Sequence, residues 1–195
     1  INNASKYICA IHDFFQYKKS SILIMDACDH DLKKIKGITI KNKVKYLLQA
    51  MDAIHVLHKN GFVHRDIKPA NLLIKQFNLK LCDFGLAKCV IKNNTHIENV
   101  NKTTQVGTLR YCSPYTQLYM QASARDDIIA LCYTFVSIFD VKLPWSKIKV
   151  NNKSKAKAKK EKNKIILTLK RICSPQLICG MNTPQSIMKI LSNSF

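Results

Sequence analysis

Glycine is scarce in this chain, with five residues in 195, at Gly37, Gly61, Gly85, Gly107 and Gly180. No G-x-G-x-x-G pattern occurs, so no glycine-rich loop over phosphates lies within these residues. None of the eight cysteines (Cys9, Cys28, Cys82, Cys89, Cys112, Cys132, Cys173, Cys179) forms a C-x-x-C pair. That spacing indicates neither a zinc site nor a disulfide framework. Cys82 and Cys132 sit in apolar runs and read as small core residues. A reducing compartment, cytoplasmic or nuclear, is expected. No apolar run approaches the roughly eighteen residues a membrane helix needs. No secretory signal is visible, and because the chain does not begin with Met a missing start is expected. No internal repeat is present.

Acidic residues are also few: 12 Asp and Glu against 32 Lys and Arg give a net charge of +20. Almost all of the excess is lysine, since only Arg65, Arg110, Arg125 and Arg171 are arginines. The chain is rich in Asn and Ile as well, a pattern that AT-rich coding produces. Two readings stay open. The charge is a solvated lysine surface, or it attracts acidic proteins, phosphorylated proteins or nucleic acid. A nucleic-acid partner has only the charge in its favour, because no aromatic-interleaved motif accompanies it. The length suits one well-buried domain or most of a two-lobed one.

The densest chemistry lies in His64-Arg65-Asp66-Ile67-Lys68-Pro69-Ala70-Asn71, followed by Asp83-Phe84-Gly85. Asp66 can accept or orient a hydroxyl proton. Lys68 can neutralise a moving phosphoryl group. Asn71 and Asp83 are hard oxygen ligands of the kind magnesium takes. Each is ordinary alone: a lone loop Asp or Asn is usually a turn residue. Together they are the set that phosphoryl transfer needs, since that reaction rests on positioning and charge neutralisation. Leu72 to Ile74 and Leu79 to Cys82 read as short strands flanking a hairpin, the context such motifs require.

The two motifs resemble the catalytic loop and metal loop of protein kinases, and Lys68 resembles the serine/threonine-directed version. The resemblance implies an α+β kinase-like fold. Residues 1–28 correspond to a remnant of the β small lobe and the hinge. Residues 29–195 correspond to the helical large lobe, with a catalytic loop at 64–71, an activation segment at 83–115 and a lysine-rich insert at 147–164. It implies ATP and Mg2+ as cofactors, with Met25, Asp26, Cys28, Leu73 and Cys82 around the nucleotide. Met25 would be the gatekeeper. Catalysis would fall to Asp66, Lys68, Asn71 and Thr108, and metal binding to Asn71 and Asp83. Thr108, in Gly107-Thr108-Leu109-Arg110-Tyr111, would bond both Asp66 and Lys68.

Further along, Tyr7 to His12 and Ser21 to Met25 read as strands separated by a turn at Gln16 to Ser20. Thr39 to Asn60 is helical by period, with Val44, Leu47, Leu48, Met51, Ile54 and Leu57 on one face and Gly61 as the stop. His55 and His58 read as structural or exposed. Leu86 to Gln105 is polar, with Thr95, Thr103 and Thr104 as candidate phosphosites. Arg125 to Phe139 is a second apolar helix, and by family analogy Asp127 ties back to the catalytic loop. Lys147 to Lys164 reads as exposed and of low complexity. Helices are expected from Lys164 to Cys173 and from Thr183 to Leu191.

At the usual Ala-Pro-Glu slot the chain has Ser113-Pro114-Tyr115. The glutamate of that slot is absent, and downstream Ser123 to Asp127, Tyr133, Leu143-Pro144-Trp145 and Cys173-Ser174-Pro175 resemble the casein kinase 1 superfamily, which includes the vaccinia-related kinases. Two residues depart from it: Pro114 is more typical of ordinary kinases, and Cys132 takes a position usually held by glycine. The resemblance implies a monomeric kinase for acidic or pre-phosphorylated proteins, with no membrane. Arg110 matches an anion-binding position, and Lys149 or a lysine of 153–164 is offered as its second cation. The glycine loop, strand lysine and helix glutamate of the small lobe are not found. The two competing expectations are an active serine/threonine kinase and a catalytically inactive kinase-like module that binds acidic or phosphorylated partners.

Overall fold

A computed structural model describes residues 6–92, 95–96, 106–151, 154–179 and 189. Two antiparallel strands, β1 (Ile11–Tyr17) and β2 (Ser20–Met25), open the chain as a hairpin, with Tyr17 opposite Ser20. The turn is therefore Lys18-Lys19, with Lys18 in the left-handed region at φ 52°. The first strand begins four residues later than expected and takes up Gln16 and Tyr17. Polar residues are tolerated there because every β1 residue is exposed, so neither face of the strand demands an apolar run. Residues 7–9 take a different partner: Leu81 N donates to Tyr7 O at 2.7 Å and Cys9 N donates to Leu81 O at 2.9 Å.

After β3 (His30–Asp31), the long helix α1 (Ile40–Lys59) is capped by Thr39, whose hydroxyl accepts from Asn42 N at 3.3 Å. Asn60 closes it, and Gly61 adopts φ 78°. The expected ends hold, but the buried face is rotated. Tyr46, Leu47, Ala50, Ala53 and Ile54 are buried, whereas Leu48 and Met51 are exposed. Small alanines let α1 approach its neighbours closely, and that contact outranks the longer hydrophobes one position away.

β4 (Phe62–Val63) leads into the 64–71 loop. The hairpin β5 (Leu72–Lys75) and β6 (Asn78–Leu81) then follows, with β3 on the far side of β5. Within the polar segment that begins at Leu86, β7 (Lys88–Cys89) pairs with β4, and β8 (Ile91–Lys92) pairs with β9 (Thr95–His96). Thr103 and Thr104 lie outside the described residues.

α2 (Pro114–Gln117) and α3 (Ala124–Ile138) come next. α3 divides two cores. Leu131, Phe135 and Ile138 pack with α1, Leu72, Leu79 and Leu81. Ile129, Tyr133 and Val136 pack with Trp145, Ile166 and Ile178. Cys132 is buried in the second core, so its side chain is accommodated. α4 (Lys155–Ile172) starts nine residues before the expected helix. Lys155 to Lys164 is exposed as expected, but it is helical: lysine and alanine are strong helix formers, and Ser154 caps the first turn. α5 (Pro175–Cys179) follows. The expected final helix, Thr183 to Leu191, lies almost wholly outside the described residues. Among the described residues no helix is long and apolar enough to cross a membrane.

Candidate active site

The 64–71 loop is held from beneath by one carboxylate. Asp127, in the first turn of α3, accepts from His64 N at 2.7 Å and from Arg65 N at 2.8 Å. Its Oδ2 also lies 2.9 Å from His58 Nε2, so His58 is structural. Arg65 has φ 70°, a conformation that side-chain-bearing residues avoid. The two loop N–H bonds over-determine it.

His64 is fully buried and stacks on Phe84 at 5.1 Å between ring centroids. Its Nδ1 accepts from Asp66 N at 3.3 Å, so the proton resides on Nε2 and donates to Cys82 O at 3.0 Å. Burial pushes its pKa down, which keeps the ring neutral in this role despite the opposing Cys82 carbonyl and nearby carboxylates.

Asp66 sits at the centre. Its Oδ1 accepts from Thr108 N at 2.9 Å and from Thr108 Oγ1 at 2.8 Å. Its Oδ2 accepts from Lys68 Nζ at 2.5 Å. Burial alone would raise its pKa, but the Lys68 and Thr108 bonds outweigh burial and hold the carboxyl below its usual value. Asp66 is thus an ionised acceptor at neutral pH. Both bonds that Thr108 donates go to Asp66; its expected bond to Lys68 is replaced by Lys68 reaching Asp66 itself.

Gly107 makes this possible. It adopts φ 86°, and a Cβ there would stand 2.4 Å from Arg65 O. Only a glycine lets the segment carrying Thr108 come so close to the loop.

Asn71 Nδ2 donates to Asp66 O at 3.0 Å, which turns the side-chain oxygen of Asn71 away from that carbonyl. The Asn71 backbone oxygen accepts from Cys82 N at 3.0 Å, which brings Asn71 next to Asp83. Asp83 is exposed, adopts φ 63°, and caps the short turn Phe84–Leu86 by accepting from Gly85 N at 3.4 Å. One carboxylate and one amide oxygen are too few for an all-protein metal cage, and no cluster of three metal-ligating side chains exists among the described residues. They do fit magnesium, which keeps water and phosphate oxygens for most of its shell.

At the 25–28 segment the residues expected at a nucleotide divide. Met25 and Cys28 are half-buried, Leu73 is half-buried on β5, and Cys82 is buried beside Asp83. Asp26 is committed elsewhere. Its carboxylate accepts from Lys75 Nζ at 2.8 Å and from Ala10 N at 3.2 Å, and its own N–H donates to Ala10 O at 3.0 Å. The Lys75 bond, with the Ala10 N–H, holds the Asp26 carboxyl well below the usual carboxylate range. Asp26 anchors the first hairpin to β5, and only its carbonyl is left for a base edge. Behind it, Cys9 Sγ lies 3.9 Å from Cys28 Sγ as free thiols, and burial pushes the Cys28 thiol up to about 11.

Arg110 is exposed, and its Nη2 donates to Ser146 O at 3.2 Å. It borders a cavity of about 350 Å³ together with Lys33, Lys36, Lys43 and Asp140. Lys33, Lys36 and Lys43 are thus the cations that share that cavity with it. Sequence reasoning missed three positions: the close approach of Gly107, the tautomer-fixing role of His64, and Lys170, whose ammonium is buried beneath residues 109–117.

A family model for the protein kinase domain matches residues 2–192. The match takes in the Asp66 loop, the Asp83 turn and both cores. The chain belongs to the protein kinase family, phosphotransferases that act on proteins and generally use ATP with Mg2+.

Proposed function

We propose that this chain is a serine/threonine kinase of the casein kinase 1 type, transferring the ATP γ-phosphate to acidic or pre-phosphorylated proteins. The observation that carries the reading is Asp66, ionised and fixed by Thr108 and Lys68, with Asn71 and Asp83 beside it. Bound ATP with Mg2+ supplies the phosphoryl group and neutralises its charge, held by Asp83 and the side-chain oxygen of Asn71. The chain's own residues do the positioning. Thr108 fills Asp66 Oδ1 with two donors, while Oδ2 carries Lys68 and only a long 3.5 Å bond from Asn71 Nδ2, so Oδ2 is the oxygen offered to the substrate hydroxyl. Lys68, already at Oδ2, lies where it meets a phosphoryl oxygen. The lowered pKa of Asp66 makes it an orienting acceptor first and a strong base second.

Lys68 and the serine/threonine-type loop around it favour serine or threonine targets. The paired Asp126 and Asp127, Tyr133 and the Leu143-Pro144-Trp145 turn favour the casein kinase 1 type. Arg110 and the lysines of its cavity favour anionic substrates. Intact Asp66, Lys68, Asn71 and Asp83 in one constellation weigh against a non-catalytic binding module. Residues 1–28 are assigned to the small lobe and hinge, the rest to the large lobe, and the eight free thiols suit a cytoplasmic or nuclear setting. The test is Mg2+-dependent transfer from ATP to casein by the full-length protein, compared with Asp83→Asn. Phosphoserine or phosphothreonine that disappears in the variant supports the reading. No transfer from folded protein sinks it.

A further inference from the structure

The turn after Thr108 is unusual in where its carbonyls point. Tyr111 N and Cys112 N both donate to Thr108 O at 2.9 Å, which closes the turn on itself. The carbonyls of Leu109, Arg110 and Cys112 then face the protein interior, and each meets a donor. Trp145 Nε1 donates to Arg110 O at 2.8 Å. Lys170 Nζ donates to Leu109 O at 2.7 Å and to Cys112 O at 2.6 Å. The same ammonium reaches Gln117 Oε1 at 3.3 Å and lies 5.8 Å and 5.6 Å from the ring centres of Tyr133 and Trp145.

Lys170 is 5% exposed, and among the described residues no carboxylate pairs with it. An ammonium taken out of water without a counter-ion is costly. What it gains here is two bonds to carbonyls of one turn and a third to Gln117 Oε1, helped by two aromatic faces. A hydrophobe of the same volume would leave those carbonyls unmet. Tyr115 stands at the usual glutamate slot, and its ring centre lies 3.7 Å from the Arg125 guanidinium.

We propose that Lys170 is a positioning residue for the protein substrate, fixing from α4 the 109–112 turn that follows Thr108, the partner of Asp66, and carries the exposed Arg110. This rests on the kinase reading above. Lys170 touches neither nucleotide nor reacting atoms, so its loss acts on the protein substrate and spares ATP. Two charge-assisted hydrogen bonds are at stake, so the loss amounts to about tenfold or more in kcat/KM.

The experiment measures kcat and KM for casein and for ATP in wild type, Lys170→Met and Lys170→Arg, with urea unfolding of each. The expected result for Lys170→Met is a casein KM raised about tenfold, an ATP KM within about twofold, and partial recovery in Lys170→Arg. If Lys170→Met does not fold, Lys170→Arg carries the test: its planar fork cannot reproduce both bonds, so the casein KM rises at unchanged ATP KM and stability. Equal change in both KM values, or none in either, overturns the proposal. Absence of transfer by wild type overturns the kinase reading, and this proposal with it. Transfer by wild type with indifferent Lys170 variants overturns this proposal alone.

Discussion

Replacing Asp127 by Asn should unhinge the 64–71 loop although the two side chains have the same shape. Asp127 satisfies three donors at once: His64 N, Arg65 N and His58 Nε2. An amide offers one oxygen. Whichever way it turns, its NH2 group faces an N–H that had been bonded, in a site where Asp127 is 1% exposed. Each buried polar group left unmet costs about 1–3 kcal/mol. The left-handed Arg65 conformation, itself costing about 1–2 kcal/mol, also loses one of its restraints. The sum is a loss of about 2–5 kcal/mol, a large part of the about 5–15 kcal/mol typical of a domain. For a chain of this size that lowers Tm by about 10 °C. Urea and thermal unfolding of the two proteins measure it, and amide exchange at His64 and Arg65 localises it. A loss below about 1 kcal/mol, with both amides still protected, would refute the reasoning.

Gly107→Ala places a Cβ against Arg65 O at a strained φ and pushes Thr108 off Asp66, so phosphate transfer falls at least about tenfold. Steady-state kinetics reads this, and wild-type rates would contradict it. Asp83→Asn keeps the left-handed turn that Asn tolerates, so stability stays within about 0.5 kcal/mol. Transfer nevertheless drops by about a hundredfold, and an equal fall in stability and rate would disprove a metal-ligand role. Burial lowers the pKa of Lys170 to about 8 from an ordinary 10.5. Between those values the unfolded chain holds the proton and the folded chain does not, so stability rises with pH across that window. The stability difference between wild type and Lys170→Met should therefore grow by about 2–3 kcal/mol from pH 8 to pH 10.5 in urea titrations, and a flat difference would exclude it.

Much of this site is legible in order along the chain, because loop chemistry is local. Asp66, Lys68, Asn71 and Asp83 stand at spacings that a short loop and a hairpin turn can satisfy without knowledge of the rest of the molecule. Thr39, Asn60 and Gly61 likewise mark their helix by local capping chemistry. What escapes the sequence is what depends on another segment. Gly107 looks like any turn glycine until Arg65 O is found against it. Asp26 reads as a nucleotide-edge residue until Lys75, forty-nine positions away, claims its carboxylate. Lys170 is one lysine in a run of many, distinguished only by Ile166, buried one helical turn before it. The 155–164 lysines were read by composition, which reports solvation correctly but is silent on backbone conformation.

The paired acids at the start of α3 have a consequence for how the molecule opens. Asp126 accepts from Ser123 N at 2.7 Å and from the Ser113 hydroxyl, while Asp127 accepts from the loop at residues 64 and 65. Two segments remote in sequence are thus fastened to a single helical turn. Fraying that turn releases both together, so the amides of His64, Arg65 and Thr116 should exchange with a common opening free energy, as one cooperative unit rather than as three separate sites.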